Sequence, residues 1–192
     1  QSEISSPGKY HSLYESLPTD VGGLCQIIQN LLIHQFWIKE KNYGITVESL
    51  KDGGRNLNDE INLRSAEDIL GCLIELDNRP LTAAREADRR VVGNCRDYSV
   101  ILVSMLRYQG VPARVRSGVA RYFYPVEGDL EDHFICEFWS EIENRWQRAD
   151  AQIDSVQKGV LQLAIDMTDL PQNQFLDAGE SYDELASGRV KP

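Results

Sequence analysis

The stretch from Gly93 to Gly110, GNCRDYSVILVSMLRYQG, sets Cys95 directly before a long apolar run. Tyr98, Ile101, Leu102, Met105 and Leu106 recur at i, i+3, i+4, i+7 and i+8, the spacing of one helical face. Cys95 therefore stands at the first turn of a helix. Unpaired N–H groups and the positive end of the helix dipole favour a thiolate there. A thiolate is the nucleophilic form, so the position suits covalent chemistry; it also suits a metal ligand or a plain packing residue. The other cysteines narrow the choice. Cys25, Cys72 and Cys136 lie in apolar patterns and read as small buried hydrophobes, with no CxxC pair. No ligand pair has metal-like spacing, so neither a metal nor another cofactor is expected. No resolving cysteine lies near Cys95, which argues against a redox role.

A nucleophilic cysteine needs a base, and the chain has three histidines: His11, His34 and His133. His11 falls in a polar N-terminal stretch. His34 sits within an apolar helical pattern and reads as a core or surface histidine. His133 opens HFICEFW, a run of aromatic and branched residues that reads as a strand. A strand start at a sheet edge can hold an imidazole over a neighbouring helix N-terminus. The imidazole in turn needs an orienting acceptor. Asp150, closing RWQRAD on the next strand, is placed for this by a hairpin; Asp154 and Asp132 are the alternatives, and Asp132 is expected to point away.

The elements that must position these residues follow from the hydrophobic period. Residues 1–17 read as loose. Thr19 or Asp20 caps a helix carrying Val21, Leu24, Ile28, Leu31, Leu32 and Phe36, weakened at its start by Gly22 and Gly23. The polar segment from Lys41 to Arg64 reads mostly as loop. Ser65 and Asp68 form a capping pair for a helix to Leu76, and LTAAREADRR reads as another short helix. The helix that begins near Cys95 ends near Gln109, at Gly110 and Pro112. The period then changes from 3.6 to 2 through ARVRSGVARYF, HFICEFW and NRWQRADAQID, an antiparallel meander. Helices first and strands after imply an α+β fold. Residues 1–192 are expected to form one domain, with a helical part at 18–90, core motifs at 91–154 and a tail from 155 that holds a short helix at AGESYDEL. The terminal SGRVKP reads as a helix exit with more chain to follow.

The three blocks NCRDYSVILVSMLRYQGVPARVRSG, DHFICEFW and RWQRADAQID resemble the transglutaminase-like superfamily. Cys95, Asp97, Gly110, Val111, Pro112, Ala113, Arg114, His133, Glu137, Trp146 and Asp150 match its pattern one by one. The resemblance spans Val91 to Asp154, about a third of the chain, and departs from the pattern after Asp150, where the usual Pro is Ala151. It implies a papain-like core in which a central nucleophile helix packs on an antiparallel sheet. It implies a triad of Cys95 as nucleophile, His133 as base and then acid, and Asp150 as orienter. The chemistry implied is attack on an amide carbonyl and an acyl-thioester, resolved by water or an amine. The substrate would be a peptide, a protein or a small amide, and a stand-alone domain of bacterial type is the expected setting. Gln35 or Trp37 would join the Cys95 N–H in an oxyanion hole. Asp97 is expected to pair with Arg114 or Arg116 as structural support, and Arg121 to reach the substrate. The alternative is a domain that keeps the fold without catalysis and binds peptides or proteins.

The bulk numbers bound the partners. At 192 residues the chain suits one well-buried domain, and 42% hydrophobic with 26% charged residues is ordinary globular composition. A formal charge of −10 disfavours nucleic acid and anionic membrane as partners. No apolar stretch has membrane-spanning length. Sparse, unpaired cysteines point to a cytoplasmic setting. Oligomeric state is not legible.

Overall fold

A computed structural model describes residues 2–39, 43–123 and 131–187. Helix α1 (Val21–Leu31) is capped by Asp20, whose carboxylate accepts from the Gly23 N–H at 2.7 Å. Its apolar face, Leu24, Ile28 and Leu31, is fully buried. The expected continuation through Phe36 does not occur. The chain switches to strand β1 (Leu32–His34), then to a short helix α2 (Gln35–Lys39), leaving Phe36 54% exposed. Residues 32–34 are buried on every side, as a parallel strand requires, and such a run carries no period.

The polar segment read as loop holds two short helices, α3 (Val47–Asp52) and α4 (Leu57–Ile61). Thr46 and Ser49 close a capping box on α3, and Leu50 and Leu57 are buried. Each helix is too short to show a face in sequence. Helix α5 (Ala66–Leu76) starts at Ser65 and ends as expected. The stretch from Leu81 forms only a 3-10 turn at Ala87–Arg89, because Arg85 is drawn inward to the carbonyls of Asp77 and Arg79. The first 17 residues, expected to be loose, wind into 3-10 turns at Glu3–Ser5 and Gly8–Tyr14. Tyr14 is 2% exposed and donates to Ser104 Oγ at 3.0 Å, and Arg107 donates to Ser5 Oγ at 2.8 Å.

Strand β2 (Val91–Gly93) pairs in parallel with β1 and leads into α6 (Cys95–Tyr108). Gly110 ends α6 with φ +85°, a left-handed conformation that glycine adopts without strain. The sheet then forms from β3 (Ala113–Ala120), β4 (Glu131–Ser140) and β5 (Arg145–Ala149), the expected meander, in the order β5-β4-β3-β6. Helix α7 (Ser155–Leu161) precedes β6 (Phe175–Asp177), an antiparallel edge strand beside β3, and α8 (Ala178–Ala186) follows where the short tail helix was expected. The exit at SGRVKP lies almost wholly outside the described residues.

The core of this α+β fold is α6, buried on all faces from Asp97 to Leu106, between the sheet on one side and α1 and α5 on the other. Cys136, Phe138, Ala113 and Ala149 from the sheet and Leu24, Ile28, Leu70 and Leu73 from the helices form one apolar cluster with it. The other side of the sheet carries Ile135 against Met167, Leu170 and Phe175. Beyond that cluster Glu137 gathers Arg114 and Arg148, its cross-strand partners in register, and Arg116 two residues along β3, and Arg114 stacks 4.4 Å over the Trp146 ring.

Candidate active site

The N-terminus of α6 is held from below. Arg55 ion-pairs with buried Glu60 and donates to the carbonyls of Asp88 and Arg90. Glu60 Oε2 accepts the Val92 N–H at 2.8 Å, fixing β2 just ahead of the helix. Asn94 then caps α6: its Oδ1 accepts from Arg96 N at 3.1 Å, and Asp97 Oδ2 reaches back to accept the Asn94 N–H at 2.8 Å. A Cβ on Gly93 would stand 2.8 Å from that oxygen, so only glycine lets the carboxylate fold back. Cys95 becomes the first helical residue, half-buried, with its backbone N–H free of any helical acceptor.

His133 is the third residue of β4, opposite Gly118 of β3, and is 2% exposed. Its Nε2 lies 2.8 Å from Asp150 Oδ2. With Nε2 committed to Asp150, Nδ1 is the nitrogen left to face the Cys95 thiol, which is near enough to help raise the ring's pKa. Phe123 and Tyr122 wall the imidazole edge-on at 4.9 and 6.0 Å. Asp150 leaves the end of β5 as its own N–H donates to Met167 O at 2.8 Å. Its Oδ2 also accepts from Tyr122 Oη at 2.7 Å and its Oδ1 from Gln152 N at 2.9 Å.

The electrostatics follow from that geometry. Burial alone would push His133 down; the Asp150 charge and hydrogen bond, with the Cys95 contact, outweigh it and hold the imidazole well above its ordinary value. Burial alone would push Asp150 up, and the His133 charge, the Tyr122 hydroxyl and the Gln152 N–H hold it below the usual carboxylate range. Both shifts favour an imidazolium–carboxylate pair.

A cavity of about 740 Å³ opens over these groups, lined by His34, Gln35, Trp37, Cys95, His133 and Gln152 among others. Of the two oxyanion candidates, both Gln35 and Trp37 reach it. His34, read from sequence as a bystander, ends β1 opposite Gly93 and so lines the same cavity. Burial first, then the His133 charge, lower its pKa to about 4, while its Nδ1 accepts from Phe36 N at 3.4 Å.

The remaining expectations divide. Asp150 is the carboxylate on His133. Asp132 is exposed at the cavity wall, and Asp154 caps α7 and takes the Tyr43 hydroxyl at 2.7 Å. Asp97 pairs with Arg96, its helical neighbour, and not with Arg114 or Arg116, because those strand arginines are taken by Glu137. Arg121 does not enter the cavity. It is ion-paired with Glu184 of α8, an element that sequence reasoning could not place beside it. Sequence reasoning missed Gln152 and the Asp150-orienting role of Tyr122. The alternating apolar and polar residues of ADAQID were the signal for Gln152. Among the described residues, no three His, Cys, Asp or Glu side chains gather as metal ligands would, and no helix is long and apolar enough to cross a membrane.

No curated protein matches the chain. One solved structure, a candidate cysteine protease from Cytophaga hutchinsonii, superposes with a TM-score of 0.46 at 16% identity over 94% of this chain. This chain spans 46% of that protein's length. The family model of the transglutaminase-like superfamily matches residues 74–151, a span that runs from the end of α5 through α6 and the meander and takes in Cys95, His133 and Asp150. Over residues 74–151 the chain is similar to the transglutaminase-like superfamily.

Proposed function

We propose that the protein is a cysteine-dependent amide hydrolase or acyltransferase acting through an acyl-thioester on Cys95. The observation that carries this reading is the buried 2.8 Å contact between His133 and Asp150, with Cys95 and His133 lining one cavity. In this reading the Cys95 thiolate attacks an amide carbonyl, and the new oxyanion takes the Cys95 backbone N–H and one donor from Gln35 or Trp37. The imidazolium gives its proton to the leaving amine as the C–N bond breaks, leaving the thioester. His133, now neutral, accepts a proton from water or an incoming amine, which attacks the thioester and releases Cys95. Asp150 and Tyr122 keep the ring in place throughout. The substrate is a peptide, a protein or a small amide, and the whole of residues 1–192 acts as one domain.

The test is alkylation of Cys95 by iodoacetamide, followed against pH in the native protein and in His133→Ala. The expected result is rapid reaction at pH 6, lowered about 10²-fold in the variant. A native Cys95 that reacts no faster than glutathione and ignores His133 would overturn the reading in favour of a non-catalytic binding domain.

A further inference from the structure

Gln152 is 2% exposed, lines the cavity beside Cys95 and His133, and leaves its Oε1 without a hydrogen-bond partner among the described residues. A buried carbonyl without a donor is costly, and its persistence calls for a function. A chain of hydrogen bonds shows that this atom is an oxygen and not the amide nitrogen. Asp154 accepts the Tyr43 hydroxyl at 2.7 Å, and a carboxylate only accepts. Tyr43 has then spent its one proton, so its oxygen must accept, and Gln157 donates Nε2 to it at 3.2 Å. Gln157 thereby turns Oε1 toward Gln152, which donates Nε2 at 3.3 Å. Each group fixes the polarity of the next, and the last leaves a buried, unmet acceptor on a residue that lines the cavity. The Gln152 backbone is pinned as well, since its N–H donates to Asp150 Oδ1.

Resting on the reading of Cys95 as nucleophile, we propose that Gln152 Oε1 accepts a hydrogen bond from an amide N–H beside the carbonyl that Cys95 attacks. Gln152 is then the residue that selects N–H-bearing amides over esters and tertiary amides. The site offers the substrate donors for its carbonyl oxygen, at the N-terminus of α6, and one acceptor for its nitrogen. A secondary or primary amide satisfies both. An ester or a dialkylated amide leaves the Gln152 carbonyl unpaired and crowds it with a lone pair or a methyl group, which is how a polar site rejects an analogue lacking a donor.

The probes are iodoacetamide and 2-iodo-N,N-dimethylacetamide, which differ at the amide N–H groups and each alkylate Cys95 with loss of iodide. Rates are divided by those of glutathione with the same reagent. The native protein is expected to favour iodoacetamide about tenfold beyond glutathione. Gln152→Met removes the acceptor and brings the ratio to within about twofold of glutathione. Tyr43→Phe, outside the cavity lining, releases the polarity of the chain and lowers the preference without touching the probe. It carries the test if Gln152→Met does not fold, as judged by circular dichroism. A ratio equal to that of glutathione in the native protein, or one unchanged in the variants, overturns the proposal while fast, His133-dependent alkylation leaves the nucleophile reading standing. Slow alkylation with both reagents, insensitive to His133, takes down the nucleophile reading itself.

Discussion

Two histidines line the same cavity and are held in opposite charge states. His133, on the sheet wall, has Asp150 at 2.8 Å and is held above its ordinary pKa. His34, on the β1–α2 wall, has burial and the His133 charge against its proton, outweighing a weaker pull from Asp150, and falls to about 4. Equal burial produces opposite results because the neighbouring charge decides which protonation state the interior tolerates. One wall therefore holds a proton and the other holds none. The contrast extends to backbone support. The sheet wall is anchored by ladder pairing and by Tyr122, Gln152 and Met167 around Asp150, whereas the facing wall is a three-residue strand and a five-residue helix.

Breaking the sheet wall has the largest expected effect. Asp150→Ala leaves a buried imidazole without its acceptor and lowers stability by about 3–5 kcal/mol, read from urea unfolding at pH 6. With Asp150→Asn, Cys95 alkylation at pH 6 falls by about tenfold or more. The pH dependence sharpens the comparison. The raised His133 value contributes stability that is complete below pH 6.5 and is lost as pH rises through its folded pKa. The lowered Asp150 value contributes stability complete above pH 3.8 and lost as pH falls through its own. The stability gap between native protein and Asp150→Asn is therefore widest between these two values and narrows above pH 6.5.

His34 runs the other way. Its folded pKa lies below its unfolded one, so the unfolded chain takes up the proton first and stability drops as pH falls from 6.5 toward 4. His34→Gln removes that loss. The native protein should lose about 2–3 kcal/mol relative to the variant between pH 7 and pH 4.5, and parallel unfolding curves at the two pH values would contradict the assignment. Away from both walls, Glu137→Gln weakens the contacts to Arg114, Arg116 and Arg148. It should cost about 1–3 kcal/mol in a thermal or urea melt while Cys95 alkylation stays within twofold. Arg121→Ala, on the half-exposed pair with Glu184, should be the mildest, under about 1 kcal/mol and without effect on alkylation.

The legible parts of the molecule are those where one segment carries its own pattern. Helix α6 could be read from its start to its end because its apolar spacing, Gly110 and Pro112 all lie within one stretch. The meander was legible because β3, β4 and β5 follow one another with period 2. Where the pattern was too short or had no period, the reading failed. The run from Leu32 to His34 is apolar enough to extend α1, and only its parallel partner, nearly sixty residues later, makes it a strand. The N-terminal 17 residues carry few apolar groups, of which Tyr14 and Leu17 are buried as the segment packs on α5 and α6.

The sequence by itself determined that a cysteine opens a buried helix, that a histidine opens a strand and that an aspartate closes the next one, because local spacing and caps act over a few residues. Tertiary structure alone decided which carboxylate meets the imidazole, that His34 faces the same cavity, that Arg121 is spent on α8, and which way the Gln152 amide points. Those are pairings between distant segments, governed by burial and by a finite supply of hydrogen-bond partners, and no local pattern encodes them.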